Sequence, residues 1–88
     1  MITKGSLVAS NKGHDLGRIY LVVKIEKEFA WCVDGKYRML ENPKKKRIKH
    51  LKNLFVETNK LLEKLDSSVL YDYEIATFIK KESNVHKD

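Results

Sequence analysis

The chain has 88 residues, 18 Lys and Arg against 12 Asp and Glu, a net charge of +6 and one cysteine, Cys32. That length supports one compact core and not two, and a lone cysteine excludes an intramolecular disulfide and a cysteine-built zinc site. The longest apolar run, around Leu21–Val23, is far shorter than the about 20 residues of a membrane helix, and Met1–Gly5 lacks the apolar stretch of a secretory signal, so a cytoplasmic location fits best.

In chain order, a first strand is expected at Ser6–Ser10, followed by the glycine-punctuated loop Asn11-Lys12-Gly13-His14-Asp15-Leu16-Gly17-Arg18. Ile19, Leu21, Val23 and Ile25 then alternate with Tyr20, Val22, Lys24 and Glu26, the period-two mark of a strand with one buried face. A reversal near Lys27-Glu28 leads into Phe29–Val33, where Phe29, Trp31 and Val33 share a face. Asp34-Gly35 predicts a type I′ turn, because that turn needs positive φ at both central residues, and Tyr37–Leu40 then returns antiparallel. Asn42-Pro43 ends this strand, and Arg47–Leu51 forms the last one.

After Leu54 the spacing becomes helical. Leu61, Leu62 and Leu65 mark one helix, with Thr58 or Asn59 as its N-cap. Ile75, Phe78 and Ile79 mark a second, beginning near Asp72, with Lys80 and Lys81 placed near its end where cations complement the dipole. The expected fold is mainly β with an α appendage: a small SH3-like barrel of about five strands over 1–54, a helical extension packed on or beside it over 55–82, and a flexible tail over 83–88.

The charge is unevenly placed. Up to Val56 there are thirteen Lys and Arg against five Asp and Glu, an excess of +8; from Glu57 onward the balance is five against seven. A localised basic excess is the electrostatic footprint of a nucleic-acid or anionic-surface binder.

Gly13, Asp15 and Gly17, set between an apolar strand and the longer run Ile19–Ile25, resemble the KOW signature of ribosomal proteins and transcription elongation factors. Taken with Asp34-Gly35 and with Glu41-Asn42-Pro43-Lys44-Lys45-Lys46-Arg47-Ile48-Lys49-His50-Leu51, the chain from Gly5 to Leu51 looks like the short bacterial KOW-domain RNA-binding proteins, relatives of KOW-bearing large-subunit ribosomal proteins of archaea and eukaryotes. The resemblance implies an SH3-like fold, association with ribosomal RNA, the ribosome or its assembly, no catalytic activity and no cofactor. By position it also implies contact through Asn11, Lys12, Gly13, His14 and Arg18.

Elementary chemistry supports such a role. Glycine lets backbone N–H groups near Gly13 and Gly17 approach a phosphate closely, and Lys12 and Arg18 supply charge on either side. A carboxylate facing phosphate is repelled, so Asp15 is expected to fix the loop by accepting backbone hydrogen bonds. A second group comprises Lys44, Lys45, Lys46, Arg47, Lys49, His50 and Lys52, with Lys36 and Arg38 from the preceding turn. In one extended strand Arg47 and Lys49 point one way and Ile48 and His50 the other, making a stripe of charge.

Among the aromatic residues, Tyr20 is the expected base-stacking surface, Tyr37 a further candidate, and Trp31 a core residue. His14 and His50 can donate to phosphate, and with His86 they lack metal-site spacing. No activated nucleophile, Walker loop or dinucleotide-binding glycine pattern is present. The partner expected is RNA, with the protein a monomer. The alternative is an SH3-like interaction module that docks on a transcription or ribosomal protein through an exposed stripe on Leu61, Leu62, Leu65 or Ile75.

Overall fold

The computed structural model describes residues 1–85. Five strands, β1 (Leu7–Ser10), β2 (Ile19–Glu26), β3 (Phe29–Val33), β4 (Lys44–Arg47) and β5 (Leu51–Asn53), form one antiparallel sheet in the order β4-β3-β2-β1-β5. Two helices follow, α1 (Asn59–Asp66) and α2 (Asp72–Val85). The fold is therefore mainly β with an α appendage, as the sequence leads one to expect.

One short connection fixes the curvature of the sheet. The two edge strands, β4 and β5, are consecutive in sequence and are joined only by a single 3-10 turn, Ile48–His50. A flat sheet of this order would hold its edges roughly 19 Å apart at about 4.8 Å per strand, whereas three residues of 3-10 helix rise about 6 Å. The sheet must curl until its edges approach. The turn is tied across the end of the curl by the Asn11 N–H donating to His50 O at 2.9 Å and by the Ile48 N–H donating to Glu28 O at 2.9 Å.

The curled sheet has an inner face and an outer face, and each has its own core. Val8, Tyr20, Val22, Ala30, Cys32 and Leu51 fill the inside, joined by Ile2, Ile25 and Ile48. On the outside Leu7, Leu21 and Val33 are covered by Leu61, Leu70 and Ile75 from the helical region, with Leu65, Phe78 and Ile79 packed alongside. The helical stripes foreseen in the sequence thus cover part of the sheet, and the stripe named for protein docking is turned inward.

Register explains where the sequence reading and the structure part. Val22 pairs with Cys32 but Lys24 pairs with Trp31, leaving Val23 as an extra residue in a β-bulge. The bulge shifts the phase of alternation, so Ile25 leaves the face of Ile19 and Leu21 and enters the inner core. Beyond it the reversal occurs at Lys27-Glu28, as expected, with Lys27 at φ 56.

Asp34-Gly35 does not make a two-residue hairpin, and Tyr37–Leu40 is not a strand. The Asp34 carboxylate Oδ1 accepts the N–H groups of Lys36, Tyr37 and Arg38 at 2.9, 2.8 and 2.8 Å, and the N–H groups of Asp34 and Gly35 both donate to Arg38 O. The Leu40 N–H donates to Asp72 Oδ1 at 2.8 Å. With those donors engaged the segment cannot extend a ladder, and β3 pairs instead with Lys44–Arg47. The stretch expected to be a single strand, Arg47–Leu51, is the end of β4, the 3-10 turn and the start of β5.

The helix ends also differ in detail. Thr58 occupies the N-cap position of α1 but makes no capping bond; its hydroxyl is buried and donates to Gly5 O, and the Glu57 carboxylate accepts the Asn59 N–H in its place. α2 starts at Asp72 as expected and runs through Val85, so Ser83–Val85 is helical and Lys80 and Lys81 precede the last turn. Residues 86–88, including His86, lie outside the described residues.

Gly35 is held at φ +76 with its α-carbon against α2, where an added Cβ would lie 2.1 Å from Asp72 O. Gly35→Ala must push α2 off the loop and is expected to cost more than about 2 kcal/mol, the left-handed backbone alone accounting for about 1–2. Gly17→Ala, at φ +86 with open space around the new methyl, is expected to cost only that backbone term of about 1 kcal/mol. Urea midpoints of the two variants check the ranking.

Candidate nucleic-acid interface

Period two within β4 divides four adjacent cations into two pairs. Lys44 lies opposite Cys32 and Lys46 opposite Ala30, on the inner side, while Lys45 lies opposite Trp31 and Arg47 opposite Phe29, on the outer side. Two inward lysines need a counter-charge, and Asp15 supplies it. Its Oδ1 accepts from Lys46 Nζ at 2.9 Å and from the Ser10 hydroxyl at 2.9 Å, and its Oδ2 accepts from the Tyr20 hydroxyl at 2.7 Å and from Lys44 Nζ at 3.2 Å.

The Asp15 side chain is only 7% exposed and that of Lys46 only 9%. Burial pushes the Asp15 carboxyl up, but hydrogen bonds from Tyr20, Lys46, Ser10 and Lys44 outweigh it and hold the group well below the usual carboxylate range. Burial, followed by the hydrogen bond and negative charge of Asp15, pushes the Tyr20 hydroxyl above its ordinary value. Among the described residues no buried side-chain nitrogen or oxygen lacks a hydrogen-bond partner.

Several sequence expectations change on this evidence. Asp15 accepts from side-chain donors on three strands and not, as the sequence leads one to expect, from backbone N–H groups. Tyr20 is 1% exposed and offers no ring face to a base. Lys46 is committed to Asp15, and the cations of 44–49 do not form one stripe, because Ile48–His50 is a 3-10 turn. The Gly17 N–H donates to Ser10 O at 2.8 Å, closing the loop and leaving it unavailable to a phosphate.

The structure does bring the loop and the basic segment together. Lys12 O accepts from Lys46 Nζ at 3.4 Å and the Asn11 N–H meets His50 O, so Asn11, Lys12, Gly13 and His14 stand exposed beside the 3-10 turn. Lys49 and Lys52 are exposed nearby in sequence. His50 titrates below its ordinary value, first through partial desolvation and then through the charges of Lys12, Lys49, Lys46 and Arg47. Its imidazole is therefore neutral at neutral pH, a hydrogen-bonding group in a positive field.

Arg18 lies over the Tyr37 ring at 4.5 Å, with Lys36 Nζ 5.2 Å from the same ring. Tyr37 is 65% exposed, so this candidate surface is presented to solvent. Arg38 is partly buried in the Asp34 loop, where its carbonyl serves the backbone.

Sequence reasoning misses the outer side of β2, β3 and β4. Phe29 and Trp31 share a face with Val33, but the helices cover only Val33, and neither ring belongs to either core. The bulge in β2 puts Lys24 beside Trp31, giving cross-strand rows of Lys24, Trp31 and Lys45, and of Glu26, Phe29 and Arg47. Lys24 and Lys45 Nζ lie 4.9 and 5.5 Å from the Trp31 ring centre, and Lys45 and Arg47 lie 4.3 and 5.0 Å from that of Phe29. Exposed cation–π contacts of this kind are worth about 0.5–1 kcal/mol each.

Cys32 lies in the inner core, where burial pushes its thiol up to about 12; such a thiol is inert. Among the described residues no cluster of His, Cys, Asp or Glu can hold a metal ion, and no helix is long and apolar enough to cross a membrane. No protein-family model matches the chain, and no curated protein matches it.

Asp15→Asn leaves two inward lysines without their counter-charge and is expected to cost about 3 kcal/mol at neutral pH, the order found when one partner of a buried ion pair is removed. Since the folded-state carboxyl titrates below its unfolded value, the stabilisation is complete above about pH 4 and is lost as pH falls through the folded value. Urea unfolding of the wild type and the variant from pH 7 to pH 2 should therefore show the difference constant at first and shrinking in acid.

Proposed function

We propose that this protein is a KOW-type RNA-binding module of the cytoplasm that contacts ribosomal RNA, in the ribosome or in an assembly intermediate. The observation that carries the reading is the juxtaposition of the Asn11–His14 loop with the basic 3-10 turn, tied by the bond from Asn11 to His50 and by Lys46 reaching Lys12. Lys12, Lys45 and Lys49 project from this region into solvent, and Arg47 is exposed beside them in an ion pair with Glu28. Phosphate contact is the use that matches clustered, exposed cations on a rigid scaffold. The KOW resemblance, which the same loop carries, supports RNA or the ribosome as the partner.

The exposed cations are the ones that bind. Replacing Lys45, Arg47 and Lys49 together with alanine is expected to lower the slope of log affinity against log salt by about 2, at roughly 0.7 per lost contact to a single strand. Fluorescence polarisation with a labelled ribosomal RNA fragment across a salt series measures it; an unchanged slope removes the basis of the proposal.

Bound phosphate also favours the charged form of His50. The His50 titration midpoint, followed by NMR, is expected to rise on RNA binding, with proton uptake, so affinity should increase as pH falls toward 6. A midpoint that does not move would place the RNA away from the 3-10 turn.

A further inference from the structure

Resting on the RNA-binding reading, we propose that the outer face of β2, β3 and β4 is a stacking site for unpaired bases, with Trp31 and Phe29 as the platforms and Lys24, Lys45 and Arg47 as the phosphate contacts around them. This makes the preferred substrate single-stranded RNA, and it assigns to the sheet a second role distinct from that of the glycine loop.

Two observations carry it. First, Trp31 and Phe29 lie outside both cores although neighbouring Val33, on the same face, is fully buried under the helices. Second, each ring is attended by two cations on long, exposed side chains: Lys24 and Lys45 at Trp31, Lys45 and Arg47 at Phe29. β4 is an edge strand, and charge on an edge discourages strand pairing. Edge protection accounts for the lysines but not for two outward aromatic rings, which it would disfavour.

The exchange on binding is favourable. An exposed cation–π contact is worth roughly a factor of 2–5 in an equilibrium constant, whereas a base stacked on an aromatic side chain is worth roughly a factor of 5–150. The cations can swing from the rings to the flanking phosphates while the bases take their place. In a duplex the bases already stack on one another, so the platforms have nothing to receive. A protein partner would also meet the rings, but Lys24, Lys45 and Arg47 outnumber the flanking carboxylates Glu26 and Glu28, the latter paired with Arg47, and this excess matches a polyanion better than an average protein surface.

Trp31 is the only tryptophan in the chain, so intrinsic fluorescence reports this face alone. Titration of the wild type with a single-stranded RNA oligonucleotide and with a blunt-ended duplex of the same sequence, polarisation of a labelled strand being read in parallel, tests the proposal. Quenching of Trp31 by the single strand and not by the duplex is expected, with Trp31→Leu and Phe29→Leu each weakening single-strand binding about 5- to 100-fold at an unchanged salt slope. Single-strand binding seen by polarisation without any change in Trp31 emission overturns the stacking site and leaves the RNA-binding reading intact, as does equal quenching by the duplex. No binding of either RNA overturns both readings, and a Trp31 response confined to a nuclease-treated ribosomal protein fraction does the same in favour of a protein contact.

Discussion

A single buried carboxylate holds one end of the curled sheet together. Asp15 sits in the loop after β1 and is reached by Ser10 from β1, Tyr20 from β2, and Lys44 and Lys46 from β4. β1 and β4 are not neighbours in the sheet, so these bonds span the mouth of the curl and hold the loop beside the edge strand. The same bonds let two lysines lie on an inward strand face, which without a counter-charge would be costly. They also decide which cations remain outside. Because Asp15 engages Lys44 and Lys46, the alternation of β4 leaves Lys45 and Arg47 on the solvent side over Trp31 and Phe29.

Two lesser constraints complete the surface. The bulge at Val23 shifts the second half of β2 by one position, which sends Ile25 inward and brings Lys24 out beside Trp31. The helices cover the outer face only around Leu7, Leu21 and Val33, and the Asp34 loop, docked on α2 through Gly35 and Leu40, anchors that cover. What the helices leave uncovered is the face on which Trp31 and Phe29 lie half-buried under Lys24, Lys45 and Arg47. The sheet thus has an apolar core on each face, and its outer face beyond the helices carries aromatic rings and cations.

Much of this was legible in the sequence. The alternation from Ile19 to Glu26, the reversal at Lys27-Glu28, the strand Phe29–Val33 and the helical stripes through Leu61 and Ile75 all follow from periodicity, and the pairing of the glycine loop with the basic segment was anticipated from the motif. Other features were hidden for identifiable reasons. Asp34-Gly35 has the composition of a tight turn, and only three-dimensional context shows the Asp34 carboxylate collecting three successive N–H groups and curling the chain. A bulge is one residue that no alternation pattern announces, so strict alternation puts Ile25 on the side of Ile19 and Leu21 while the structure puts it inside. Periodicity alone puts Trp31 in the core because it shares a face with Val33, yet whether a face is covered depends on where the helices end. Tyr20 reads as free because it lies opposite the main apolar face and near Arg18; a sheet with apolar cores on both faces buries that side too. The split of Lys44 and Lys46 from Lys45 and Arg47 follows from period two only for a strand that starts at Lys44, and Pro43 with a run of four cations gives no apolar alternation to mark that start.

The basic run is two structures of opposite orientation: Lys44 and Lys46 hold the fold through Asp15, and Lys45 and Arg47 are the pair proposed to meet RNA. Two double variants of equal charge separate these roles, Lys44→Gln with Lys46→Gln and Lys45→Gln with Arg47→Gln, each assayed for unfolding in urea and for RNA affinity under folded conditions. The inner pair should lose stability while the folded protein keeps its affinity, and the outer pair should keep stability while affinity falls by about tenfold or more, the loss of one to two phosphate contacts. Equal effects of the two pairs on affinity, with stability unchanged in both, would contradict the account.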